Sequence, residues 1–239
     1  MISTLQKLVG LDTSRTHIHH STVNFNANLP INVEVLEQMD KLRYRLKIGR
    51  KELNTKSQKP LFENEVYWGD FSQGESGILK LSQLIRQPHL FQDKSAFIEA
   101  KLNEIIPYEQ FSPASFHKNL LDQLLDEHLP SPLFKTFSYM LLALSKGVVH
   151  LPLQHEAKRC LLQFSLNKQR YSFYLALENM GPMEGIITPH GAEIFVIYEK
   201  SLFFLEKQLP KLDMIASLDL RKEIHPLFDT RELMLDMKG

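Results

Sequence analysis

The period of the hydrophobic pattern changes twice along this chain, and that change constrains the fold more than any other feature. Between residues 31 and 72 apolar side chains recur at every second position. Ile31, Val33 and Val35 form one run; Leu42, Tyr44, Leu46 and Ile48 form another; Leu53 and then Val66-Tyr67-Trp68-Gly69-Asp70-Phe71 follow. Period two marks strands with a buried face. Gly49 falls between two runs, where a tight hairpin turn is expected, and Ser57-Gln58-Lys59-Pro60 reads as a second turn. Several short strands joined by turns predict a small, OB-like barrel or rolled sheet.

From residue 76 to 147 the spacing lengthens to three and four. Ile78, Leu81, Leu84 and Ile85 predict one helix, and Phe97, Ile98, Leu102 and Ile105 a second that Pro107 ends. Ser112-Pro113 is a start signal, a hydroxyl cap followed by proline at the first helical position, and Phe116, Leu120, Leu121, Leu124 and Leu125 supply the stripe behind it. Ser131-Pro132 repeats the signal ahead of Leu133, Phe137, Met140, Leu141 and Leu144, and Gly147 is a C-terminal stop. From residue 148 period two returns. Leu151-Pro152-Leu153, residues 161–166 and Tyr171, Phe173, Leu175 and Leu177 read as extended. Residues 183–187 and 193–198 are two more strands; Ser201 is placed to cap a helix carrying Leu202, Leu205 and Leu209, and Met214 to Leu218 returns as a strand. The fold class is therefore α+β. An N-terminal small β-barrel-like module spans 31–75, a central helical segment 76–147, and a C-terminal antiparallel sheet with one covering helix 148–239. Residues 1–30, rich in Ser, Thr, Asn and His, read as a flexible arm, and 230–237 as a short terminal helix.

Charge narrows the function. Lys+Arg and Asp+Glu both number 28, so there is no basic surplus of the kind that grips phosphates. The densest basic run, Lys41 to Lys51, alternates with apolar residues and reads as the solvated face of a strand. The alternative is single-stranded nucleic acid stacked on Tyr44, Tyr67, Trp68 and Phe71 of the β module. Cys160 is the single cysteine, so it forms no internal disulfide; it reads as a packing residue in a reducing compartment. A signal-peptide pattern and an apolar run of membrane-spanning length are both missing, so a cytosolic protein without membrane insertion is expected. Export through a type III apparatus would leave no mark of either kind.

Chemistry-bearing motifs are hard to find. Gly-rich phosphate loops, nucleophile elbows, HExxH and CxxC do not occur. His17, His19 and His20 crowd a polar tail; His150 and His155 flank Pro152 without a third ligand; Asp122 and Asp126 share a helix face with nothing to perturb them. We therefore expect no catalytic, cofactor-binding or metal-binding residues, no cofactor, and a non-enzymatic binding protein or adaptor.

One stretch carries a family likeness: Phe173-x-Leu175-x-Leu177-x-Asn179-Met180-Gly181-x-Met183-x-Gly185-x-Ile187, then Gly191-Ala192-x-Ile194-x-Val196, then Leu202, Leu205 and Leu209. It resembles the C-terminal domain of flagellar hook-length control proteins, and residues 35–71 resemble the small β module that some such proteins carry. The long Pro/Ser/Gln-rich ruler of that family has no counterpart here, so the likeness is to a short variant. What the resemblance implies is docking on the cytoplasmic domain of the flagellar export-switch membrane protein, without covalent chemistry. On that reading the contact candidates are Asn179, Met180, Gly181, Pro182, Met183 and Gly185, with Met180 and Met183 as exposed, adaptable anchors. The competing reading is that the two glycines serve the backbone and Met183 fills the core.

Overall fold

The structure, a computed structural model, describes residues 29–57, 59–73, 79–99, 111–155, 158–165, 170–211 and 214–231. Residues 1–28 of the expected arm and most of the expected terminal helix lie outside the described residues, as do 100–110 of the second expected helix.

The first sheet contains β1 (Ile31–Gln38), β2 (Arg43–Ile48), β3 (Lys51–Lys56), β4 (Val66–Gln73) and β5 (Leu79–Arg86) in the antiparallel order β3-β2-β1-β4-β5. Gly49 sits with Arg50 in the two-residue turn of the β2–β3 hairpin, where Ile48 pairs with Lys51. Val33, Val35, Tyr44, Leu46, Ile48 and Tyr67 form the core of this sheet, roofed by Leu61. The Tyr67 hydroxyl accepts from the Phe62 N–H at 3.0 Å and pins that roof. Leu53 on one edge strand and Leu81 and Leu84 on the other pack on the same cluster, so the sheet curls. Among the described residues no ladder joins β3 to β5, and the expected barrel is instead an open sheet.

Residues 79–86, expected to be helical, form strand β5. A bulge explains the misleading spacing. Trp68 pairs with Ile85 but Asp70 with Ser82, so β5 spends one extra residue there, and Gln83 takes φ +50°. Leu81 and Leu84 thereby reach the same face at a spacing of three, which imitates a helix. Two 3-10 turns, His89–Gln92 and Lys94–Ala96, then lead to β6 (Ile98–Glu99), where the second helix was expected.

The two remaining helices of the central segment do form: α1 (Pro113–Leu124) and α2 (Ser131–Ser145). The Ser112 hydroxyl caps α1 by accepting from the Ser115 N–H. In α2 the cap position is Pro130, so Ser131 lies inside the helix and caps nothing. Gly147 ends α2 as expected.

The second sheet adds β7 (Val148–His155), β8 (Lys158–Ser165), β9 (Tyr171–Leu177), β10 (Gly181–Thr188), β11 (Gly191–Val196) and β12 (Ala216–Leu220), in the order β12-β11-β10-β9-β8-β7-β6. The expected antiparallel sheet is mixed, because β12 runs parallel to β11 and β6 parallel to β7. The covering helix α3 (Glu199–Glu206) forms the β11–β12 crossover, and Ser201, expected as its cap, lies within it behind Tyr198. Nor is α3 the only cover. Val149, Leu151 and Leu153 face α1 and α2 through Phe116, Leu120, Phe137 and Met140. The opposite face, with Leu161, Tyr174 and Ala176, takes Trp68, Phe91, Phe97 and Ile224. Both faces of this sheet are covered, and the first sheet supplies part of the cover.

Candidate functional site

The six residues singled out by the sequence lie at the β9–β10 turn and on β10, next to the joint between the sheets. Glu178 to Met180 form the turn, and Gly181, at φ +78°, opens β10. A side chain at 181 would strike the Tyr198 ring, whose Cε2 would lie 2.6 Å from an added Cβ. Gly185 is a packing gap: an added Cβ would collide with the Glu193 carbonyl and the Phe173 ring. Met183, expected to be exposed, is only 4% exposed, and Pro182, Gly181 and Gly185 are buried as well. Period-two alternation explains this, since Met183 shares its face with its partners Leu175 and Val196. Only Asn179 and the half-buried Met180 present side chains to solvent.

Long-range hydrogen bonds hold the turn in place. The Trp68 indole N–H donates to the Glu178 carbonyl at 2.9 Å. The Ser201 hydroxyl donates to the Met180 carbonyl at 2.6 Å, docking α3 against the turn. Arg159 bridges again, donating to the Phe91 carbonyl at 2.6 Å and to the Glu178 carboxylate at 2.5 Å. Tyr198 donates to the Gln83 carbonyl at 2.9 Å, and burial drives its phenol far above the ordinary range. Lys200 pairs with Asp70 across the same joint. Strands β4 and β5, the β9–β10 turn and the first turn of α3 are thus one fixed assembly. The sequence carried a signal for it: Val66-Tyr67-Trp68 is unbroken apolar sequence within a strand, as when both faces are buried. Tyr67 enters the core of the first sheet and Trp68 crosses to the second.

This assembly offers a surface rather than a reaction centre. Beyond Ser201, which ties α3 to the Met180 carbonyl, the helix carries Phe203 and Phe204, 60% and 42% exposed. A cavity of about 470 Å³ is an open groove lined by Arg170, His190, Glu193 and Ile215 among others. Of the histidines considered for metal, His17, His19 and His20 lie outside the described residues. His150 is buried against Gln163 and Phe228. Asp122 and Asp126 are exposed. Among the described residues no three His, Cys, Asp or Glu side chains converge to hold a metal. No described helix is long and apolar enough to cross a membrane.

The basic run on β2 also has its place. Arg43, Arg45 and Lys47 pair with Asp40, Glu37 and Glu34 at 2.5, 3.0 and 2.9 Å, so the stripe is matched by acids. The Asp40 carboxyl is held down at about 2, first by the Leu42 N–H and then by Arg43. No family model, curated protein or solved structure matches the chain.

Proposed function

We propose that this chain is a non-enzymatic, hook-length-control-like protein-binding factor of a flagellar type III export system, docking on the cytoplasmic domain of the export-switch protein. The observation that carries the reading is the β9–β12 unit with α3. The residues of the family-like pattern hold its architecture: Gly181 and Gly185 allow close approach, Met183 and Val196 fill the core, and the turn is fixed against α3. A rigid turn, with a helix docked on it that carries two exposed aromatic rings, suits recognition by a preformed surface, which costs little ordering entropy on binding. The contact surface on this reading comprises Asn179 and Met180 with Phe203 and Phe204, while the other four candidates support it from below. Binding acts by favouring one conformation of the switch protein, and its effect is limited by the difference in affinity for the two conformations. We read the first sheet as an incompletely closed OB-type barrel, because both its edge strands feed one core. The acid-matched basic stripe argues against nucleic acid as its ligand.

Calorimetric titration with the cytoplasmic domain of the switch protein from the same organism tests the reading. Saturable binding is expected, weakened roughly tenfold or more by Phe203→Ser combined with Phe204→Ser, as for a central aromatic anchor. No heat and no complex at high concentration would remove the docking role.

A further inference from the structure

Among the described residues four strands lie at sheet edges: β3, β5, β6 and β12. An edge presents a row of unpaired N–H and C=O groups, which proteins blunt with charge, bulges, shortness or cover. Strand β3 carries exposed Lys51, Glu52 and Lys56. Strand β5 is interrupted by its bulge, and its Gln83 carbonyl already accepts from Tyr198. Strand β6 is two residues long. Among the described residues strand β12, Ala-Ser-Leu-Asp-Leu, has none of these protections beyond the single charge of Asp219.

The hydrogen bonds of β12 have a definite side. The Ile215 carbonyl accepts from the Ala192 N–H at 2.9 Å, and the Arg221 N–H donates to the Val196 carbonyl at 2.8 Å. In a strand the N–H and C=O of one residue point the same way and those of the next point the opposite way. Residues 215, 217, 219 and 221 therefore address β11, and Ala216, Leu218 and Leu220 direct their backbone groups outward.

We propose that this edge pairs with the same edge of a second copy of the chain, antiparallel about a two-fold axis at Leu218. The sequence is self-complementary in that register. Leu218 meets the partner's Leu218, and Ala216 meets the partner's Leu220. All three outward-facing residues exchange both their bonds, and Asp219 stands opposite the partner's Ser217. Centring the pair on Asp219 instead would oppose two carboxylates, which is destabilising. Apolar surface brackets the strand: Ile215 is 82% exposed, Leu220 is 49% exposed, and α3, carrying Phe203 and Phe204, packs beside it. With 28 charges of each sign there is no net repulsion between copies. The two second sheets join into one continuous sheet across the axis. The pairing does not depend on the export-switch reading.

Analytical ultracentrifugation of the full chain over a concentration series, with amide exchange at low and high concentration, tests it. The mass is expected to rise to twice that of the chain. The Ala216, Leu218 and Leu220 amides are expected to gain protection with concentration, while Ser217 and Asp219, already bonded to β11, do not change. Leu220→Pro removes one outward N–H from each copy and leaves the bonds to β11, so dimerisation weakens roughly tenfold or more. Leu220→Val retains the dimer. A monomer at every concentration overturns the proposal. So does a dimer whose three outward amides exchange unchanged, or a dimer indifferent to Leu220→Pro. Should that variant fail to fold, the exchange pattern of the unmodified chain decides alone.

Discussion

The two sheets bury their apolar faces by different means. The first curls over itself, closes its core with Leu61 and the loop around it, and leaves its other face largely to paired charges. The second is covered on both sides, by α1 and α2 on one face and by Trp68, Phe91 and Ile224 on the other. A self-roofed sheet depends on local turns and a short loop. A sheet covered twice depends on segments far away in sequence, and its strands read as nearly continuous apolar runs such as Val148-Val149-His150-Leu151-Pro152-Leu153. The first sheet therefore tolerates surface change, and the second is sensitive wherever its covers attach.

The most damaging way to break this difference is at a fully buried side chain that rises from a first-sheet strand into the core of the second. Trp68 is fully buried, stacks edge-on to Phe91 at 5.8 Å between ring centres, and donates to the Glu178 carbonyl. Trp68→Ala leaves a cavity at the joint and an unmet carbonyl at the turn, for an expected cost of about 3–5 kcal/mol. Urea unfolding followed by circular dichroism measures it. A loss under about 1 kcal/mol would mean that the sheets stand independently and the joint contributes little.

A smaller effect is expected where the C-terminal segment covers the second sheet. The Gln163 amide makes a two-point clamp on Phe228: its Oε1 accepts from the Phe228 N–H at 3.1 Å and its Nε2 donates to the Phe228 carbonyl at 2.7 Å. That orientation leaves the second amide hydrogen for His150 Nδ1 at 2.8 Å, so the ring is neutral with its proton on Nε2. Burial pushes the His150 pKa down to about 4, and the Asp229 carboxylate only partly offsets it. The unfolded chain, with a histidine near 6.5, binds the proton first, so stability is complete above about pH 6.5 and falls as the pH drops towards 4. The full loss is on the order of 3 kcal/mol. His150→Gln, which retains an acceptor for Gln163, should flatten this slope in denaturant titrations between pH 7 and 4. An unchanged slope would transfer the acid sensitivity to other groups.

How much of this was legible in the sequence follows from where each signal lies. The β2–β3 hairpin, the Ser112 cap and the stop at Gly147 are local, and they form as read. Strand β5 misled because a bulge converts period two into a spacing of three, and only the register against β4 reveals it. Strand β6 has no local mark; Ile98 and Glu99 are extended because Leu153 and Gln154 lie alongside. At the candidate site, the family-like pattern located the turn but misjudged its surface. Met183 alternates with buried neighbours on a strand covered on both faces, and that second cover comes from Trp68, more than a hundred residues earlier. The anchors Arg159, Tyr198 and Lys200 carry no sequence signal, since each acts through a residue distant in the chain.

The smallest expected effect lies on the outer face of the first sheet, and it sharpens the contrast. Arg45 and Glu37 meet at 3.0 Å with both side chains nearly half exposed, beside the Arg43–Asp40 and Lys47–Glu34 pairs. Exposed pairs gain little, because water screens the attraction and two long side chains lose freedom in making it. Arg45→Ala should therefore change stability by less than about 1 kcal/mol in dilute buffer, and the difference should vanish in molar salt, where the screening length is about 3 Å. Chemical denaturation with urea, which leaves ionic strength unchanged, measures both conditions. A cost of several kcal/mol that persists in salt would mean that Arg45 holds up the sheet by packing its aliphatic stem, and the first sheet would then depend on its charged face as the second depends on its covers.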